Sequence, residues 1–125
     1  MEFSIEFGGD PQDVTITASG VGDLASFASL NGRLLADPRF RAGLSYLIDL
    51  SELEVAELPQ EDVEQIATVG NESTWDYPPR AVAMVATNPT THEQVQLAIA
   101  YMGGSKSGHR VFATRDDAVA WLREQ

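Results

Sequence analysis

The chain contains no cysteine. Disulfides, thiol nucleophiles and cysteine-ligated zinc or iron–sulfur centres are therefore excluded. Positive charge is scarce: eight Lys and Arg stand against nineteen Asp and Glu, a net charge of −11 at pH 7. A surface so negative repels nucleic acid and anionic lipid headgroups, and a charged partner would be basic. Long apolar runs are missing too. None approaches the ~20 residues that cross a bilayer, so no membrane span is expected. The N-terminal stretch MEFSIEFGGD has neither a basic start nor an apolar core, so no signal peptide is visible. A cytoplasmic setting fits this and the lack of cysteine. The only histidines are His92 and His109, too few to build a metal site without ligands the fold would have to bring together. No cofactor is expected.

What is present is enough apolar residue, 43% of 125, for one continuous core. Phe3, Ile5 and Phe7 alternate with Glu2, Ser4 and Glu6, the pattern of a half-buried strand. After the breaker GGDPQD the alternation resumes at Val14, Ile16 and Ala18, which predicts an antiparallel hairpin. Asp23 can cap a helix over 23–36 with an apolar stripe of Leu24, Phe27, Ala28, Leu34 and Leu35, stopped at Asp37-Pro38. GLSYLIDL, 43–50, is apolar without alternation and suits a central strand covered on both faces. Pro59 opens a second helix with Glu61 and Asp62 in its first turn and Val63, Ile66, Ala67 and Gly70 inward. GNESTWDYPPR, 70–80, reads as a loop, and AVAMVAT, 81–87, as a second buried strand. Thr90 and Glu93 have capping-box spacing ahead of Val95, Ala98, Ile99 and Met102 at helical intervals. HRVFA is a short strand. TRDDAVAWLRE is a last helix, with Thr114 and Asp117 at its start and Ala118, Trp121 and Leu122 inward. The order β-β-α-β-α-β-α-β-α predicts a single α/β domain over 1–125. An N-terminal antiparallel hairpin leads into a mostly parallel four- to five-stranded sheet flanked by about four helices.

Few constellations carry chemistry. AYMGGSKSGHRVF holds the chain's one Gly/Ser/Lys cluster, but it follows a helix and precedes a strand. A phosphate loop needs the reverse order, so that backbone N–H groups at a helix start face the anion. Gly103 and Gly104 are expected as a left-handed helix cap. GSKSG fails as a nucleophile elbow because Lys106 stands in the nucleophile's place. Asp49 at the end of one buried strand and Thr87 at the end of the next suggest a phosphoacceptor, although the acidic pair that would hold Mg²⁺ is missing. The run ELEVAELPQEDVEQ lacks a calcium-loop glycine and reads as a solvated helix face or a surface for a basic partner. Trp75 and Tyr77, beside Pro78 and Pro79, either fold onto the core or anchor a partner.

DPRFRAGLSYLIDLSEL, 37–53, and HRVFATRDDAVAWLRE, 109–124, resemble the SpoIIAA-like branch of the STAS fold, the sulfate-transporter and anti-sigma-factor-antagonist domains. The resemblance extends over most of the chain and is closest to the stand-alone proteins of that branch. It implies a small cytoplasmic bacterial domain that binds or regulates rather than catalyses. The better-known members bind a partner kinase and switch through a serine in a turn before the second helix. That turn corresponds here to Glu57-Leu58-Pro59-Gln60, where no serine or threonine stands, so the resemblance brings no switch residue with it.

The expected function is thus a non-catalytic module for a protein partner or a small apolar ligand, with a homodimer possible. The residues expected to meet the partner or ligand are Leu58, Pro59, Gln60 and Glu61 at the start of the second helix, and Trp75 across the loop. A lipid or metabolite pocket between helices and sheet is a further form of the same expectation. The rival class is a phosphoacceptor or small enzyme centred on Asp49 and Thr87.

Overall fold

The computed structural model describes residues 1–55, 58–104 and 108–125, and of residues 71–75 the backbone alone. The alternating segments pair as expected: β1 (Glu2–Phe7) lies antiparallel to β2 (Val14–Val21), with Phe7 opposite Val14 and Glu2 opposite Ser19. Val14, Ile16 and Ala18 are almost fully buried. Three parallel strands follow in register, β3 (Ser45–Glu54), β4 (Ala81–Val85) and β5 (His109–Phe112), giving one sheet in the order β1-β2-β3-β4-β5. The connections are α1 (Leu24–Ala36), α2 (Gln60–Asp76) and α3 (Pro89–Tyr101), and α4 (Arg115–Arg123) closes the chain.

The two-residue period of a strand sorts side chains between the faces of the sheet. Phe7, Val14, Tyr46, Val82 and His109 form one row across the strands, and Ile5, Ile16, Ile48, Met84 and Val111 the next on the same face. This face looks toward α1, α2 and α3. Leu47, Ala81, Ala83 and Val85 point the other way and bury Ala118 and Leu122 of α4, while Phe112 and Trp121 meet at 5.6 Å. Each such large side chain contributes roughly 1.5–3 kcal/mol on burial.

The helix starts follow local chemistry. The Asp23 carboxylate accepts from the Ser26 amide at 2.8 Å, and the Thr114 hydroxyl from the Asp117 amide at 3.2 Å. For α3 the cap is Asn88, whose side chain accepts from the amides of Thr90 and Thr91. The expected Thr90–Glu93 box is displaced because Pro89 takes the first helical position, where its missing N–H costs nothing. Pro59 is likewise the cap residue of α2 rather than its first residue.

Three expectations are corrected. α2 continues through the 70–80 segment to Asp76, with Tyr77 as its C-cap, so Trp75 lies on a helix. Pro78-Pro79, rather than the polar residues before it, ends the helix. The strand expected at 43–50 extends to Glu54, so Asp49 is inside β3 and not at its end. On α1 the buried residues are Leu30 and Leu34, whereas Leu35 is exposed. Gly103 and Gly104 do adopt positive φ after α3, at 108° and 63°. Ser105, Lys106 and Ser107 lie outside the described residues, as do Ala56 and Glu57.

Candidate ligand-binding cavity

The helix layers differ in how closely they approach the sheet. α4 packs directly on β4, and α3 on β5, whereas α1 packs on α2 and α2 on α3 with little close backbone contact to the strands. The space left under α1 and α2 is a cavity of about 200 Å³. Its floor is Ile16, Tyr46, Ile48, Leu50, Val82 and Met84, the alternating residues of β2, β3 and β4. Its roof comes from Phe27 and Leu34 of α1, Val63, Ile66 and Gly70 of α2, Ala98 and Ile99 of α3, and Met102, the C-cap of α3. The wall is overwhelmingly hydrocarbon. The space is partly open to solvent rather than sealed. It is somewhat larger than the ~150 Å³ engineered cavity that stays dry and takes up benzene.

Few polar groups reach this wall. Asn31 donates from its Nδ2 to the Val69 carbonyl at 3.4 Å, which ties α1 to α2 across the cavity. Gln94 accepts from the Leu58 amide at 3.4 Å. Tyr46, Tyr77 and His109 line the cavity at the end where the parallel strands begin. Burial pushes the Tyr46 hydroxyl up to about 12, the nearby Asp13 carboxylate adds to that rise, and Arg41 opposes it. At neutral pH the hydroxyl is a donor. Beside it Phe40 and Tyr77 meet at 5.2 Å and 59°, closing this end between the α1–β3 loop and the end of α2.

The expected site residues divide. Leu58 lines the cavity; Pro59, Gln60 and Glu61 are exposed at the start of α2, with Gln60 donating to the Glu64 carboxylate at 3.3 Å. The side chain of Trp75 lies outside the described residues. Asp49 and Thr87 sit apart from the cavity. Asp49 is on the α4 face of β3, where its carboxylate accepts from the Ser51 hydroxyl at 2.6 Å and the Ser51 amide at 3.0 Å and pairs with Arg115 at 3.1 Å. Burial raises its carboxyl group, but the Ser51 and Arg115 bonds outweigh that and hold it below the usual carboxylate range. Thr87 donates to the Ser51 carbonyl at 3.3 Å. Among the described residues no cluster of His, Asp and Glu could hold a metal ion.

Sequence reasoning named Leu58 and missed most of the rest. Tyr46, Ile48 and Met84 look like ordinary core positions, and His109 like a surface histidine. The usable signal lay in the helices. α2 and α3 present Gly70 and Ala98 where large residues would be needed to fill the space above a sheet of Ile, Leu, Tyr and Met. A Cβ on Gly70 would stand 3.0 Å from Met102 Cε.

No family model matches the sequence, and no curated protein matches it. Solved structures do. One is an uncharacterized protein of the DUF3478 family with a SpoIIAA-like fold from Shewanella loihica PV-4: 19% identical, TM-score 0.60, covering 96% of this chain and 93% of that one. Another is an anti-sigma factor antagonist from Mycobacterium paratuberculosis: 18% identical, TM-score 0.57, covering 98% and 95%. With the hairpin edge, the parallel strands and the four helices in this order, the chain has the SpoIIAA-like STAS fold.

Proposed function

We propose that this chain is a non-catalytic binding module whose ligand is a small apolar molecule held between the sheet and helices α1–α3. The observation that carries this is the cavity itself, about 200 Å³ of hydrocarbon-lined space beneath two helices that stand off the sheet. Ligand pockets are mostly apolar with a few placed polar groups, and Asn31, Tyr46, Gln94 and His109 are such groups here. The regulatory character of the anti-sigma factor antagonist neighbour suits a module that binds rather than transforms. Leu58 links the two parts of this reading. It lines the cavity and also precedes the exposed Pro59-Gln60-Glu61 start of α2. A ligand that fills the cavity fixes α2 against α1 and α3, and so fixes the surface offered to a protein partner.

The test uses N-phenyl-1-naphthylamine, a neutral probe that fluoresces in apolar surroundings. The protein is expected to enhance and saturate its emission, and Ala98→Phe, which places a ring in the cavity, to abolish the effect while the variant stays folded by circular dichroism. Native mass spectrometry of freshly purified protein is expected to show a retained adduct that Ala98→Phe lacks. A folded wild type that neither enhances the probe nor carries an adduct overturns the reading.

A further inference from the structure

The fold gathers most of its arginines at one end of the strand axis, with carboxylates such as Asp10, Asp13 and Asp37 among them, and leaves the other end acidic. Six arginines, Arg33, Arg39, Arg41, Arg80, Arg110 and Arg123, fall at or near the end where the parallel strands begin, as the element order places them. At the opposite end, where β3 stops and α2 and α3 start, stand Glu52, Glu54, Glu61, Asp62, Glu64 and Glu93. The one arginine there among the described residues, Arg115, is paired with Asp49 on the α4 face of the sheet. The other ion pairs among the described residues, Arg39–Asp37 and Arg123–Asp10, lie at the far end and compensate none of these carboxylates.

The cavity runs along the same axis. Tyr46, Ile48 and Leu50 mark its floor on β3, four residues or about 13 Å at ~3.3 Å per residue, the extended length of a roughly ten-carbon chain. It reaches the acidic end at Val55, Leu58 and Gln94. Leu58 and Gln94 are half-exposed, and the carboxylates that flank these three in sequence, Glu54, Glu61 and Glu93, are exposed. The Leu58 amide bonded to Gln94 holds the start of α2 to α3 at this rim.

We propose that the cavity takes a cationic amphiphile, an alkyl or aryl chain bearing an ammonium group, with the chain along the sheet and the head at the rim where α2 and α3 begin. The proposal rests on the cavity reading above and adds the charge and direction of the ligand. Among the described residues no ion pair engages Glu54, Glu61 or Glu93, which flank that rim in sequence, and the net charge of −11 draws a cation toward the protein and repels an anion. At the other end Arg39 pairs with Asp37 and Arg123 with Asp10, and Asp13 acts on Tyr46 against Arg41.

The experiment displaces N-phenyl-1-naphthylamine with decylammonium, decanol and decanoate, at low salt and at high salt. Decylammonium is expected to bind about fivefold more tightly than decanol at low ionic strength, and decanoate more weakly than either. The differences should shrink as the Debye length falls to ~3 Å near 1 M salt. The double variant Glu61→Gln, Glu93→Gln should lose the preference and still bind decanol, while Glu6→Gln, at the far end of β1, should keep it. Equal binding of the three compounds, tighter binding of decanoate, or a preference untouched by the double variant overturns the proposal and leaves the apolar cavity standing. If the probe itself does not bind, the cavity reading falls and this one with it.

Discussion

Thr91, in the first turn of α3, is joined to the backbone of Val55, just beyond the end of β3: its hydroxyl accepts the Val55 amide at 3.1 Å. The same hydroxyl donates to the Leu53 carbonyl at 3.3 Å, and the residue has no exposed surface. One hydroxyl thus satisfies two backbone groups where the strand leaves the sheet, and it sets α3 at the cavity rim.

Replacing that hydroxyl by a methyl group keeps the volume and orphans both backbone groups. Thr91→Val is expected to destabilise the protein by about 2–4 kcal/mol, since each buried unsatisfied group costs ~1–3. Thr91→Ser, which keeps the oxygen, should cost about 1 kcal/mol. Urea denaturation midpoints at unchanged m-value check the order. A Thr91→Val midpoint equal to that of the wild type would show that water reaches these groups.

The fold was readable where one physical rule governed a segment. Strict alternation in β1 and β2, the apolar first half of β3 and the apolar run of β4, and breakers between them mark the strands in their chain order. Asp23 and Thr114 were readable as caps because a side-chain acceptor three residues before a free amide has one obvious use. Residues 70–76 misled because their polarity is that of a loop, although they continue a helix whose outer side is wet. Helix α2 as a whole packs on α1 and α3, and such packing overrides local propensity. The cavity was readable only as a general possibility. A hollow is a relation among side chains from several elements, and the small residues that create it, Gly70 and Ala98, look like ordinary helix packing when read one at a time.

Acid should weaken the fold partly through Asp49. Its folded-state ionisation lies below the unfolded value of 3.8, so its contribution is fully present above about pH 4 and is lost as pH falls through the lower, folded value. Asp23 and Asp37, each held down by hydrogen bonds, act in the same direction. Asp49→Asn should therefore be less stable than wild type at pH 7, with the gap closing below pH 4. Thermal melts between pH 2.5 and 7 measure this. A gap constant across that range would assign the loss to packing rather than charge.

The same pairing bears on the phosphoacceptor alternative. The Asp49 carboxylate accepts two bonds from Ser51 and one from Arg115, which leaves one of its roughly four acceptor sites free, and no acidic cluster among the described residues stands ready for Mg²⁺. Treatment with acetyl phosphate and Mg²⁺ is expected to leave the intact mass unchanged. A stoichiometric gain of one phosphoryl group that disappears in Asp49→Asn would restore the enzyme-like reading.

Stability and ligand binding should move in opposite directions when the cavity is filled by the protein's own atoms. Gly70 faces the flexible end of Met102, whose thioether can turn aside from a new Cβ at 3.0 Å. Gly70→Ala removes a glycine from a helix interior, a gain of about 0.5–1 kcal/mol, from which any Met102 strain is subtracted. Ala98→Leu adds methylene groups to a space already open and should stabilise the free protein by about 1 kcal/mol more. Both variants should bind N-phenyl-1-naphthylamine more weakly, Ala98→Leu by tenfold or more. Destabilisation by both together with undiminished binding would mean that the helices close over the sheet in solution and that the probe sits elsewhere. Stabilisation with lost binding is what a built cavity requires, because the side chain then supplies the dispersion contacts that a ligand would otherwise supply.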